Sequence, residues 1–192
     1  MAKSAGPVDK ASGGRILPWH ITLASLLGHL VIAIVLVKGH LFSAGVLLII
    51  FGLMDSFDGA LARQQKTASD RGVVMDAVAD RIKEIILYSA IAFYWVDNPA
   101  IDGLLVVLAL GASLAISYIK AKGEAVIAAG KHMEASQLNR MFSAGFMGYE
   151  VRTAIVVIGL LFNQLWLAVA LIAVFGWLTA LQRYIRIDQT LR

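Results

Sequence analysis

Six apolar stretches, each close to the length a helix needs to cross a bilayer, dominate this chain: Ile21–Val37, Leu41–Ala62, Gly72–Trp95, Ile101–Ile119, Ser143–Phe162 and Leu165–Ile185. A hydrocarbon core takes about 20 apolar residues as helix. Inside lipid the backbone has no water to bond, so a spanning segment must satisfy its own N–H and C=O groups. The expected fold class is therefore all-α: a polytopic integral membrane protein with six transmembrane helices, one domain over residues 1–192, and a polar lead-in at 1–20. Composition agrees, with 59% hydrophobic and 16% charged residues against about 45–50% and about 25% in soluble domains. The first apolar stretch is longer than a signal-peptide core and lacks a small-residue cleavage pattern, so it reads as a retained span.

The basic residues give the spans a direction. Lys3, Lys10 and Arg15 precede the first span, Arg63, Lys66 and Arg71 join the second to the third, and Lys120, Lys122, Lys131 and Arg140 join the fourth to the fifth. Arg186 and Arg192 follow the sixth. The intervening connections carry only Lys38, then Asp97 and Asp102, then no charge. Under the positive-inside rule this alternation places both termini in the cytoplasm. The net charge of +4 then reflects loops facing anionic headgroups, and no nucleic-acid partner is expected. With no cysteine, disulfides and thiolate metal sites are excluded. Trp19, Trp95 and Trp166 sit at span ends as interfacial aromatics do. The polar stretch Lys120–Phe142 reads as an exposed loop or short helix.

Against this apolar background stand four carboxylates, Asp55, Asp58, Asp76 and Asp80. An ionisable group at membrane depth costs a few kcal/mol, which makes it a candidate functional residue. Asp55 and Asp58 are three residues apart near the cytoplasmic end of the second span, and Asp76 and Asp80 are four apart near the start of the third. On a helix each spacing puts its pair on one face. The linker is short, so the pairs are expected to converge below the headgroups, where like charges need divalent cations between them. An all-oxygen donor set suits Mg²⁺ or Mn²⁺ rather than zinc or copper, and four carboxylates suffice for two ions. Gly59 and Gly72 would let a flat group approach the backbone, and Arg63 can fork onto a phosphate, with the Thr67 and Ser69 hydroxyls nearby.

Asp55, Asp58, Gly59, Ala62, Arg63, Gly72, Asp76 and Asp80 stand in the order D-x-x-D-G-x-x-A-R-x8-G-x-x-x-D-x-x-x-D. This resembles, without a gap, the signature of the CDP-alcohol phosphotransferases. The resemblance implies that a CDP-linked lipid, CDP-diacylglycerol or CDP-archaeol, donates its phosphatidyl or archaetidyl group to an alcohol and releases CMP. It implies that the four aspartates hold two metal ions on the donor diphosphate, with Asp80 as the catalytic base on the acceptor hydroxyl. Gly59, Ala62, Arg63, Ser69 and Gly72 would line the nucleotide pocket, and the enzyme would be a homodimer in the cell membrane with its site facing the cytoplasm.

The acceptor is read from cations on three other spans. Counting back from Asn163 puts Arg152 well inside the fifth span, Lys120 closes the fourth, and Arg183 lies in the last turn of the sixth. Together they could bind a second anion, such as an acceptor that carries a phosphate. Helix-end anchoring for Lys120 and Arg183, and pairing of Arg152 with Glu150 or an aspartate, are the competing readings. The stretch Ile116–Ala125, ISYIKAKGEA, is similar to the fourth helix of the family branch that makes phosphatidylinositol phosphate and its archaeal counterparts. That likeness implies inositol phosphate as acceptor, bound by Lys120, Arg152 and Arg183. Glycerol 3-phosphate is the alternative within the family, and a divalent-cation channel or carrier is the alternative from another class. His29 is expected to pack against a neighbouring helix, and Glu84 to pair with Arg81 or Lys83 nearby.

Overall fold

The computed structural model describes residues 18–65, 70–97, 103–130 and 146–191, with side chains placed except at 18, 55–65, 70 and 128–130. Six helices run through these segments: α1 (Pro18–Val37), α2 (Leu41–Gln65), α3 (Asp70–Tyr94), α4 (Gly103–Gly130), α5 (Tyr149–Leu161) and α6 (Leu165–Leu191). The described residues form helices and turns, with no strand among them. Three helical stretches, Trp19–Val37, Gly103–Ile127 and Leu165–Leu191, are long and apolar enough to cross a membrane, and Leu41–Met54 is a shorter apolar helix. Large apolar side chains point outward from them, among them Leu27 and Ile34 on α1, Leu104 and Val107 on α4, and Val174 and Leu181 on α6. A helix that is apolar on its outer face as well as its inner one is solvated by lipid.

The chain divides into two compact units, Met1–Tyr94 and Trp95–Arg192. In the first, α1 packs against both α2 and α3. The contact with α2 is close because the Phe51 ring lies where a side chain on Gly28 would stand. The Ser25 hydroxyl reaches the Phe51 carbonyl at 3.5 Å, and the buried His29 donates from Nδ1 to the Ser25 carbonyl at 2.9 Å. His29 is thus a buried residue whose Nδ1 is bonded within its own helix, whereas its place in the sequence leads one to expect a neighbouring helix. In the second unit α6 packs against α4 and α5. The buried face of α6 runs Leu165, Ala168, Val169, Ile172, Ala173, Gly176, Thr179, Ala180, Arg183. Its small residues admit α4 to near backbone contact, and Trp177 Nε1 donates to the Leu108 carbonyl at 3.2 Å.

Both tight connections use the same chemistry. After α1, Gly39 adopts φ 83°, its N–H bonds the Leu36 carbonyl at 2.8 Å, and the His40 N–H bonds the Val35 carbonyl at 3.2 Å. These are the two bonds of a Schellman cap, which needs a left-handed residue after the helix. After α5, Asn163 takes that role with φ 55°, and the Gln164 N–H reaches the Gly159 carbonyl at 2.7 Å.

Three expectations change. Lys120 does not close α4; the helix continues to Gly130, because Ala, Lys, Glu and Val are serviceable helix residues whatever their hydropathy. Residues 131–142 of the expected loop lie outside the described residues. Arg152 is in the first turn of α5 rather than well inside a span, since that helix starts at Tyr149. Trp95 is buried, whereas Trp19 and Trp166 are exposed as interfacial rings should be.

Candidate active site

The first unit carries the acidic machinery. Asp55, Asp58, Gly59, Ala62 and Arg63 all fall on the C-terminal half of α2. Their spacing follows the helical repeat, so their positions form one stripe along the helix. Their side chains lie outside the described set, and Ser69 lies outside the described residues altogether. On α3 the stripe reads Gly72, Asp76, Asp80 and then Lys83 and Glu84. Gly72 and Asp76 are exposed, while Asp80 is partly buried. Since α1 packs against both α2 and α3, the two stripes belong to helices that share one neighbour.

Around Asp80 the charges are ordered. Lys83 Nζ stands 3.0 Å from Asp80 Oδ1, and Arg81 Nη2 stands 3.9 Å from Oδ2. Arg81 turns its Nε to Glu84 Oε2 at 3.1 Å, so Glu84 does form the local ion pair expected of it. Lys83 is 1% exposed. The donor chemistry fits a hard divalent cation, since every candidate ligand is a carboxylate oxygen. Among the described residues no group of three such ligands is assembled, and the side chains of Asp55 and Asp58 lie outside the described set.

The second unit carries the cations. Arg152 is 2% exposed and Arg183 is 6% exposed. Arg152 Nη1 donates to the Met147 carbonyl at 2.8 Å, and Arg183 Nη1 donates to the Ile116 carbonyl at 3.2 Å. The side chains of Ile116 and Met147 pack together with Ala180 in one apolar cluster. Two guanidiniums are thus anchored on adjoining parts of the same core. Arg152, Glu124 and Glu150 lie near enough for their charges to act on Arg183. Arg183 Nε is buried with no hydrogen-bond partner among the described residues. Lys120 is half-exposed and its Nζ is 3.7 Å from Glu124 Oε1, which draws it into the same neighbourhood. Arg152 and Arg183 are thus linked through one cluster, and Lys120 stands one turn beyond Ile116 on α4.

Glu124 escaped the sequence reading, and Lys83 entered it only as an expected partner of Glu84. Glu124 was recoverable as the residue one turn beyond Lys120. Lys83 was visible as a cation at membrane depth, but its pairing with Asp80 depends on side-chain direction.

Comparison with known proteins supplies the remaining context. A family model described as CDP-alcohol phosphatidyltransferase matches residues 15–182. The chain is 36% identical over 115 residues to the phosphatidylinositol phosphate synthase of Corynebacterium glutamicum, covering 58% of this chain and 52% of that one. It is 38% identical over 107 residues to the Mycobacterium marinum protein of the same name, covering 54% of this chain and 44% of that one. The chain thus spans about half the length of the curated relatives it matches. The crystal structure of Mycobacterium tuberculosis phosphatidylinositol phosphate synthase with CDP-DAG bound superposes with a TM-score of 0.78 at 25% identity, covering 94% of this chain and 92% of that one.

Proposed function

The chain belongs to the CDP-alcohol phosphatidyltransferase family, and on that premise we propose that it transfers the phosphatidyl or archaetidyl group of a CDP-linked lipid to a hydroxyl of inositol phosphate, releasing CMP. The reading of the acceptor is supported by one observation: two buried arginines bond carbonyls of one apolar cluster in the second unit, and the Nε of Arg183 has no hydrogen-bond partner among the described residues. Like charges out of water are unfavourable unless an anion joins them. Glu124 and Glu150 supply negative charge nearby, and an acceptor bearing its own phosphate adds an anion that can take bidentate bonds from guanidinium. The names of the relatives point the same way.

In this proposal Asp55, Asp58, Asp76 and Asp80 converge on the cytoplasmic side and hold two Mg²⁺ or Mn²⁺ ions. The chemistry such ions supply is neutralisation of the diphosphate and of the departing CMP. Gly59, Ala62, Arg63, Ser69 and Gly72 receive the nucleotide and its phosphates. Arg152, Arg183 and Lys120 hold the acceptor phosphate and so orient its hydroxyl. Asp80 takes the hydroxyl proton as the oxygen attacks the lipid phosphorus. The lipid tails stay in the bilayer, which keeps the scissile bond at headgroup depth. The whole chain acts as one functional domain with six spans, both termini in the cytoplasm, as a homodimer.

Purified protein with CDP-diacylglycerol, Mg²⁺ and a panel of inositol phosphate, glycerol 3-phosphate, free inositol and serine tests this reading by CMP release. Turnover is expected to be fastest with inositol phosphate and to stop when the metal is chelated. Fastest turnover with glycerol 3-phosphate would move the chain to the alternative acceptor. Equal rates with free inositol would remove the role of the arginines. No CMP from any acceptor would leave the carrier reading standing.

A further inference from the structure

We propose that Lys83 is a positioning residue for the reaction: its ammonium holds Oδ1 of Asp80 and thereby fixes which oxygen of that carboxylate is presented to the reacting hydroxyl. The inference rests on Asp80 acting as the base, as proposed above. A lysine that is 1% exposed has surrendered its hydration, and a buried ammonium persists only beside a compensating charge. Its 3.0 Å approach to Oδ1 is that of a charge-assisted hydrogen bond. Among the described residues the other nearby cation stands further off, with Arg81 Nη2 at 3.9 Å from Oδ2, and its Nε is paired at 3.1 Å with Glu84. Asp80 is therefore held more closely at Oδ1 than at Oδ2, and its side chain keeps 23% exposure. A carboxylate free to rotate would exchange its oxygens and spend part of its time misdirected; one clamped through Oδ1 does not. Because Lys83 lies three residues beyond Asp80 on α3, the clamp is internal to one helix and survives movement of neighbouring elements.

The test compares Lys83→Met, Lys83→Arg, Asp80→Asn and the double variant Asp80→Asn/Lys83→Met in the CMP-release assay, with Mn²⁺ binding followed by electron paramagnetic resonance. Lys83→Met is expected to lose about 30-fold or more in kcat, as misplaced catalytic groups do, with the KM for the CDP-lipid unchanged. Its Mn²⁺ affinity is expected to stay level or to tighten, because a positive charge near the carboxylates has gone. Lys83→Arg recovers at least about tenfold of the lost rate by restoring a charge-assisted bond to Asp80. The double variant is expected to be no slower than Asp80→Asn, as required of a residue that works through Asp80. A kcat for Lys83→Met within about threefold of the parent overturns the proposal, as do losses that multiply in the double variant. Parallel loss of Mn²⁺ binding and turnover also overturns it, since that marks a collapsed site. If Lys83→Met does not fold, Lys83→Gln replaces it under the same criteria. Parent-like turnover in Asp80→Asn would instead sink the assignment of the base, a separate failure from that of Lys83.

Discussion

Arg152 and Arg183 are buried to within a few per cent, and each donates to a backbone carbonyl. A guanidinium offers five donors. At Arg183 the Nε has no hydrogen-bond partner among the described residues. Replacing Arg183 or Arg152 by Met should raise the KM for inositol phosphate about tenfold to a hundredfold, the loss of a charge-assisted bond worth about 1.5–3 kcal/mol. The CDP-lipid KM should be unaffected, and a matching rise there would count against the assignment. Lys120 offers a contrast. Its pair with Glu124 is 3.7 Å long between partly exposed side chains, and such pairs contribute about 0–1 kcal/mol to stability. Lys120→Met should therefore leave the melting temperature in place and show its effect only in acceptor KM. The aspartates were legible from spacing because helical periodicity fixes which residues share a face. The clamp on Asp80 and the crowding at Arg183 were not, because each depends on where a long flexible side chain ends.

At the level of the helix, the seams depend on the absence of side chains. A Cβ on Gly176 would stand 2.8 Å from Ala112 Cβ, and one on Gly159 would stand 2.6 Å from Ala168 Cβ. Neither obstacle is the end of a flexible chain, so the helices themselves must part. Gly176→Ala should cost about 1–3 kcal/mol, measured as a lower melting temperature in detergent. Gly103→Ala is the control: nothing lies within 4 Å of its Cβ, and its effect should stay within about 0.5 kcal/mol. The buried hydroxyl of Thr179 bonds its own helix, at the Phe175 carbonyl 2.9 Å away, so it asks for no partner across the seam. Helix starts and stops were partly legible. Lys38-Gly39 marks the end of α1 as a glycine cap should. The continuation of α4 past Lys120 was missed because hydropathy reports what a segment dissolves in, while helix formation follows backbone preference and packing.

At the scale of the molecule, three helical stretches among the described residues meet the length and composition for crossing a membrane, and the six-span arrangement with cytoplasmic termini is the proposal that accounts for the alternating basic loops. The cysteine-free sequence makes this directly testable, since any introduced thiol is the only one. Lys38→Cys, Asp97→Cys and Asn163→Cys should react with a membrane-impermeant maleimide on intact cells. Lys66→Cys and Lys131→Cys should react only after permeabilisation. The reverse pattern would put the aspartates on the outer face and end the proposed mechanism.

Helical class, the run of spans and the acidic stripe follow from chain-local rules: a segment in lipid must bond its own backbone, and a 3.6-residue repeat assigns every position a face. Those rules act within a few turns, so residue order is enough to read them. The burial of Lys83 against Asp80, and the meeting of Arg152 and Arg183 over Ile116 and Met147, are different in kind. They depend on which faces of which helices pack, how closely small residues let them approach, and which carbonyls remain to receive a guanidinium. Contacts between residues as far apart as Ile116 and Arg183 have no local signature, and folding alone brings them within reach.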